Sequence, residues 1–200
     1  MIDNLENIRP LLNFSKPGDF YMLYVFKRKK DQPEEERSNH QSVRTIKSYC
    51  IESIDHLERR YDEIKQLCEI FKARAYIHVQ KQNHTDVGLN MLAQLAEKIR
   101  DGVTNQKGLF DSVVGQLKTH EKRWIVDIDT PDYHVVEELA KYINYLSPQG
   151  PKCEAVIPTK NGYHLITARF DVRSFTEKYR DIDIQKKNPT LLYYPNSLEQ

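Results

Sequence analysis

Hydrophobic residues recur along this chain at two spacings, every second position or every third and fourth, and the spacing in force assigns each stretch to a strand or a helix. Positions 4–12 predict a short helix that ends before Phe14, followed by a turn at Ser15-Lys16-Pro17-Gly18. The aromatic run Phe20-Tyr21-Met22-Leu23-Tyr24-Val25 predicts a central strand over 19–26. Over 27–39 the pattern gives way to a basic block, Lys27-Arg28-Lys29-Lys30, and an acidic one, Glu34-Glu35-Glu36, with Pro33 between them. That composition predicts an exposed loop or hairpin tip. Strand character resumes over 43–51. Ser53 then caps a helix whose apolar positions Ile54, Leu57, Tyr61, Ile64, Leu67, Cys68 and Phe71 fall on one face. A strand over 73–79 and a helix over 86–99, with Val87, Met91, Leu92, Leu95 and Ile99 inward, bring the chain to Asp101-Gly102 and a weaker helical piece over 109–117.

The second half begins with an apolar strand over 124–130. An amphipathic helix carrying Tyr133, Val136, Leu139, Ala140, Ile143 and Leu146 follows, stopped by Ser147-Pro148-Gln149-Gly150-Pro151. Thr130 and Pro131 suit the cap and first position of that helix. Two short strands over 153–157 and 163–168 flank Pro158-Thr159-Lys160-Asn161-Gly162, whose Asn-Gly is a hairpin signal. A helical segment within 170–179 and a strand over 191–194 complete a β-α-β-β-α-β series.

The 200 residues, 39% of them hydrophobic, suffice for one sizeable core or two subdomains that share a sheet. A net charge of +1 marks the whole chain neither as a nucleic-acid binder nor as a membrane protein, so any basic surface is local. Cys50, Cys68 and Cys153 lack zinc-ligand spacing, and no apolar stretch is long enough for a signal peptide or a membrane span. A soluble, reducing, cytoplasmic setting is the expectation.

Trp124-Ile125-Val126-Asp127-Ile128-Asp129 is where the pattern carries chemistry. Alternation along the strand puts Asp127 and Asp129 on one side and Trp124, Val126 and Ile128 on the other. Two carboxylates about 7 Å apart on a desolvated strand favour a shared proton or a hard cation, Mg²⁺ or Mn²⁺. The bland alternative is a capping role for Asp129 and a solvated edge for Asp127. Gly162-Tyr163-His164 adds a histidine able to donate to phosphate, with Lys160 and Asn161 as further donors. Ile182-Asp183-Ile184 adds a third acid, for whose role Asp181 competes.

In order and form these pieces resemble the catalytic core of the archaeo-eukaryotic primase superfamily, including the primase-polymerases of phages and plasmids. Its members carry a hydrophobic run ending in Asp-x-Asp, a small-x-His motif, and a hydrophobic residue followed by an acid. The resemblance covers roughly residues 120–197. It implies a nucleotidyl transferase in which Asp127, Asp129 and Asp183 are catalytic and hold Mg²⁺ or Mn²⁺. His164, Lys160, Asn161 and Gly162 would bind the nucleotide. Nucleic acid (template and primer) and nucleoside triphosphates are the implied partners, with a helicase or another replication protein beside them. The expected fold is α/β (α+β): an N-terminal α/β module over 1–118 packed against a small RRM-like, mostly antiparallel sheet module over 119–200 that carries the acidic site. Two other classes stay open. One is a non-catalytic nucleic-acid-binding replication or mobile-element protein. The other is a metal-dependent phosphoryl hydrolase, a nuclease or phosphatase, since Asp-x-Asp-Thr approaches the Asp-x-Asp-x-Thr of haloacid-dehalogenase-type phosphatases. A phosphatase would need a lysine near Asp127 and give His164 no role. For a nucleic-acid groove, Arg28, Lys29, Lys30, Arg44, Lys47 and Arg74 are the basic candidates.

Overall fold

The computed structural model describes residues 1–32, 43–117 and 122–198. In chain order the first part forms β1 (Ile2–Asp3), α1 (Leu5–Ile8), β2 (Asp19–Arg28), β3 (Val43–Ile51), α2 (Ile54–Phe71), β4 (Arg74–Ile77), β5 (Gln82–Asn83), α3 (His84–Arg100) and α4 (Leu109–Gln116). The rest forms β6 (Trp124–Ile128), α5 (Tyr133–Tyr145), β7 (Cys153–Pro158), β8 (Tyr163–Thr167), α6 (Val172–Lys178), β9 (Asp183–Gln185) and β10 (Thr190–Tyr194). The fold is mixed α/β, with two antiparallel sheets and six helices among the described residues. No helix among these residues is long and apolar enough to cross a membrane.

The larger sheet has the order β1-β10-β4-β2-β3, with β5 paired to the start of β2. Alternation along β2 divides its side chains between two cores. Tyr21, Leu23 and Val25 pack with Leu57, Tyr61, Ile64 and Cys68 of α2, whereas Phe20 and Met22 pack with Val87 of α3 and Leu109 and Val113 of α4. Ser53 caps α2 as expected, its hydroxyl accepting from the His56 amide at 3.0 Å. In α3 the expected inward face is only partly right. Val87, Met91 and Leu95 face the core, but Leu92 and Ile99 are 66% and 64% exposed. Leu92 follows Met91 by one residue, roughly 100° around the helix, and so turns away from α4.

The smaller sheet has the order β7-β8-β6-β9. Val126, Ile128 and Leu165 on one face are covered by Val136, Leu139 and Ile143 of α5 and Phe175 of α6. On the other face Ile125, Ile157 and Ile166 enter the same core as α2 and the larger sheet. The two sheets therefore share buried surface. Buried Asn4 adds a polar tie, its amide donating to the carbonyls of Pro158 and Leu191 at 2.9 Å each. Arg123 donates to the Leu11 carbonyl at 2.8 Å and pairs with Glu154 at 2.6 Å. Near the end of the chain β10 returns to the larger sheet, between β1 and β4. The boundary expected at 118/119 lies outside the described residues, as does the acidic half of the loop expected over 27–39.

Ile166→Ala should destabilise the protein by about 2–5 kcal/mol, because it opens a cavity in the shared core. Trp124, the sole tryptophan, stands in the smaller sheet, so its fluorescence reports that sheet while far-ultraviolet circular dichroism reports both. The two probes should give superimposable urea transitions in wild type and variant. Separate midpoints would show that the sheets do not share a cooperative core.

Candidate active site

The acids meet through strand register. Asp127 of β6 lies opposite His164 of β8 on one side and opposite Asp183 of β9 on the other, so the three residues form one row across the sheet. Their face is that of Ile125 and Ile166, turned toward the larger sheet. Like charges directly opposite across two strands are destabilising. The Asp127–Asp183 pair is thus a feature that the fold alone does not call for. β6 ends at Ile128, and Asp129 follows it in an exposed position.

Asp127 is held from two sides. The Gln185 amide donates to its Oδ2 at 3.0 Å, and His164 Nε2 stands 3.5 Å from its Oδ1. The other imidazole nitrogen, Nδ1, lies 2.9 Å from the buried Thr190 hydroxyl. Burial, helped by the charge of Arg28, lowers the His164 pKa to about 4, so the ring is neutral at neutral pH and its contact with Asp127 is no ion pair. An ionised carboxylate only accepts, which favours a proton on Nε2 and a hydrogen bond donated by Thr190 to Nδ1. Burial also raises the pKa of Asp127. The charges of Asp129 and Asp183 add to that rise, and Arg28 and the Gln185 hydrogen bond oppose it.

The larger sheet brings cations to the opposite wall. Arg28 reaches the hydroxyl of Tyr76 and stands 5.2 Å over its ring, and Arg74 pairs with Asp31 at 2.7 Å while lying 4.8 Å over Tyr194. From the smaller sheet, Lys160 lies 5.4 Å over the same Tyr194 ring. With Asp127, Asp129, Asn161 and His164 they line an open cleft of about 430 Å³, part of it continuous with solvent. Arg28 and Arg74 thus stand across the cleft from Asp127 and Asp129, with Lys160 on the side of the acids.

The β7–β8 hairpin holds Lys160 and Asn161 at the cleft, its turn closed by the Thr159 amide donating to the Gly162 carbonyl at 2.8 Å. Gly162 is required here by a close approach of the chain. A Cβ on it would stand 1.9 Å from the Ile128 carbonyl oxygen and 2.8 Å from the Thr130 backbone. The helix cap expected at Thr130 lies two residues later. Asp132 caps α5 by accepting from the His134 amide at 3.0 Å, and Thr130 accepts from the Asp132 amide at 3.3 Å. Aspartate is the stronger cap of the two.

Register and contact thus bring together Asp127, Asp183 and His164, with Asp129, Lys160 and Asn161 at the rim and Gly162 packed beneath it. Asp181 precedes β9. Of the basic candidates, Arg28 and Arg74 line the cleft, whereas Lys47 pairs with Glu63 of α2. Gln185 and Thr190 were not expected. Gln185 was within reach of sequence reasoning, since it lies two residues after Asp183 and so on the same face, but nothing local marks Thr190. Among the described residues no three His, Cys, Asp or Glu side chains converge closely enough to cage a metal by themselves. Comparison with protein-family models, with curated proteins and with solved structures finds no match.

Two outcomes test this geometry. Gly162→Ala should cost about 1–3 kcal/mol and lower the melting temperature by several degrees, because the methyl group has no room against backbone. An unchanged melting temperature would contradict the close approach. Asp127→Asn should stabilise the protein at neutral pH. The folded-state pKa of Asp127 lies above its ordinary 3.8, so the wild type loses stability as pH rises from that value through the folded pKa, and the variant escapes the loss. The advantage should shrink toward zero as pH falls to about 3.8, which urea titrations at several pH values would show.

Proposed function

We propose that the chain is a metal-dependent nucleotidyl transferase of the primase or primase-polymerase type, acting on nucleic acid with nucleoside triphosphates. The observation that carries this reading is the in-register row His164–Asp127–Asp183, whose His164 and Asp127 face Arg28 and Arg74 across one cleft. Phosphoryl transfer asks a protein mainly for positioning and for neutralisation of charge, which suits such opposed walls. Strand order supports it too. The series β6-α5-β7-β8-α6-β9 with spatial order β7-β8-β6-β9 is the order that the RRM-like reading, a split β-α-β unit, calls for. The contact between Asp127 and His164, a residue to which a haloacid-dehalogenase-type phosphatase would give no role, favours this class.

The donor set fits Mg²⁺ or Mn²⁺. Asp127, Asp129 and Asp183 are hard oxygen donors whose mutual repulsion, which adds to burial in raising the pKa of Asp127, a divalent cation would relieve. Mg²⁺ takes one or two carboxylates and fills its shell with phosphate oxygens and water, so it does not ask for a closed protein cage. When bound, the metal supplies Lewis-acid stabilisation of charge on the phosphoryl oxygens and a more acidic attacking hydroxyl. The residues of the chain do the rest. Gln185 and His164 fix the Asp127 carboxylate, and Thr190 holds the His164 ring so that its Nε2 proton points at Asp127. Arg28, Arg74 and Lys160 attract the polyphosphate, and Asn161 at the rim donates to it.

The deciding assay is incorporation of labelled nucleotides on single-stranded and primed templates with Mn²⁺ or Mg²⁺. Wild type should give metal-dependent products, and Asp127→Ala/Asp129→Ala should reduce them by about 10²-fold or more. Absence of products from the wild type, with metal binding retained, would refute the transferase reading in favour of a nuclease or a non-catalytic nucleic-acid binder.

A further inference from the structure

A second cavity lies on the face of the larger sheet that also carries Arg28. It encloses about 430 Å³, partly open to solvent, between the sheet and α4, and its wall includes Tyr24, His78, Gln82, Asp111, Gly115 and Lys187. Met22, Val114 and Leu117 make its apolar part. The Tyr24 and His78 rings meet edge to face, with centroids 5.8 Å apart. Among the described residues the His78 ring nitrogens have no hydrogen-bond partner, although burial lowers the pKa of that ring to about 4. The Tyr24 hydroxyl donates to Asp111 at 3.4 Å, the Gln82 amide nitrogen to the Val114 carbonyl at 3.5 Å, and Lys187 to the Gly115 carbonyl at 3.0 Å. Aromatic surface, an unpartnered imidazole and an acceptor-only carboxylate suit a flat heteroaromatic ring bearing donors.

This cavity adjoins the acidic cleft. Tyr24 pairs in register with Tyr76, a residue of that cleft, and Phe26, next on the same face of β2, stacks on Tyr76 with centroids 4.8 Å apart. Tyr24 and Arg28 are four residues apart on one extended strand, about 13 Å. We propose that the cavity receives an unpaired nucleobase, preferring one with an exocyclic amino group, while the attached sugar and phosphates run along the sheet face toward Arg28 and His164. The phosphate end of this proposal rests on the transferase reading, and the base end does not. The base belongs to a free nucleotide or to a single strand, with the same chemistry in either case.

Calorimetric titration with Mg²⁺ present separates these. ATP and CTP should bind about tenfold more tightly than tripolyphosphate, with UTP close to tripolyphosphate, as expected for one sequestered base. Gly115 lines the cavity, its Cβ position is clear of other atoms, and leucine is the better helix former, so Gly115→Leu fills space without straining the fold. Gly115→Leu and His78→Leu should bring ATP down to the affinity of tripolyphosphate and leave tripolyphosphate unchanged. A short oligodeoxyadenylate without 5′-phosphate forms the other arm. If it loses affinity in both variants while ATP never exceeded tripolyphosphate, the base comes from a strand. ATP no tighter than tripolyphosphate, together with oligonucleotide binding indifferent to both variants, overturns the proposal. Base-dependent binding without nucleotide incorporation would sink the transferase reading and leave the pocket standing. Incorporation without base-dependent binding would do the reverse.

Discussion

The arrangement of the molecule depends on one packing contact, that of the isoleucine face of the smaller sheet with the core of the larger one. Ile125, Ile157 and Ile166 are almost wholly buried there beside the residues that pack α2 on its sheet. Strand alternation then dictates what lies two positions further along, namely Asp127 after Ile125 and His164 before Ile166. Burial that stabilises the fold therefore also sets the polar row at the mouth of the seam. Partial removal from water follows for both groups, one carboxyl shifted up and one imidazole shifted down.

Opposed charge is the second consequence of that seam. The smaller sheet presents acids along Asp127 and Asp183, and the larger sheet presents Arg28 and Arg74 from two adjacent strands. Neither sheet holds a complete site. Arg74 is itself anchored by Asp31, and among the described residues its Nε and one Asp31 oxygen are buried without a hydrogen-bond partner. Such polar atoms are costly in a protein interior, and their position beside a cleft that accommodates charge is consistent with a functional origin.

Much of this was legible in the sequence wherever local pattern and tertiary demand agree. The strand at Asp127 and the capped helix after Ser53 follow from spacing and cap chemistry, and the expected hairpin is present, although neither Asn161 nor Gly162 takes the positive φ of an Asn-Gly type I′ turn. The common face of Asp127 and Asp129 follows from spacing too, though Asp129 proves to lie just past the strand end. Leu92 and Ile99 were misplaced because periodicity reports that a face is apolar and leaves open how much of it a short partner helix covers. The cap was placed early because Thr130 and Asp132 are both competent, and only the path from β6 to α5 selects between them. Thr190 was invisible, since its link to His164 spans 26 positions and depends on β10 crossing back to the other sheet. Arg28 and Arg74 were noted as basic residues, but that they converge is a property of sheet order, which no local signal encodes.

The contact beneath Gly162 also bears on how the cleft is built. With no space for even a methyl group between the hairpin and the backbone at Ile128 and Thr130, the segment carrying Lys160 and Asn161 is seated on the segment carrying Asp129. These two lips are seated on each other as one jaw, and the end of β2 with Arg28 faces them across the cleft.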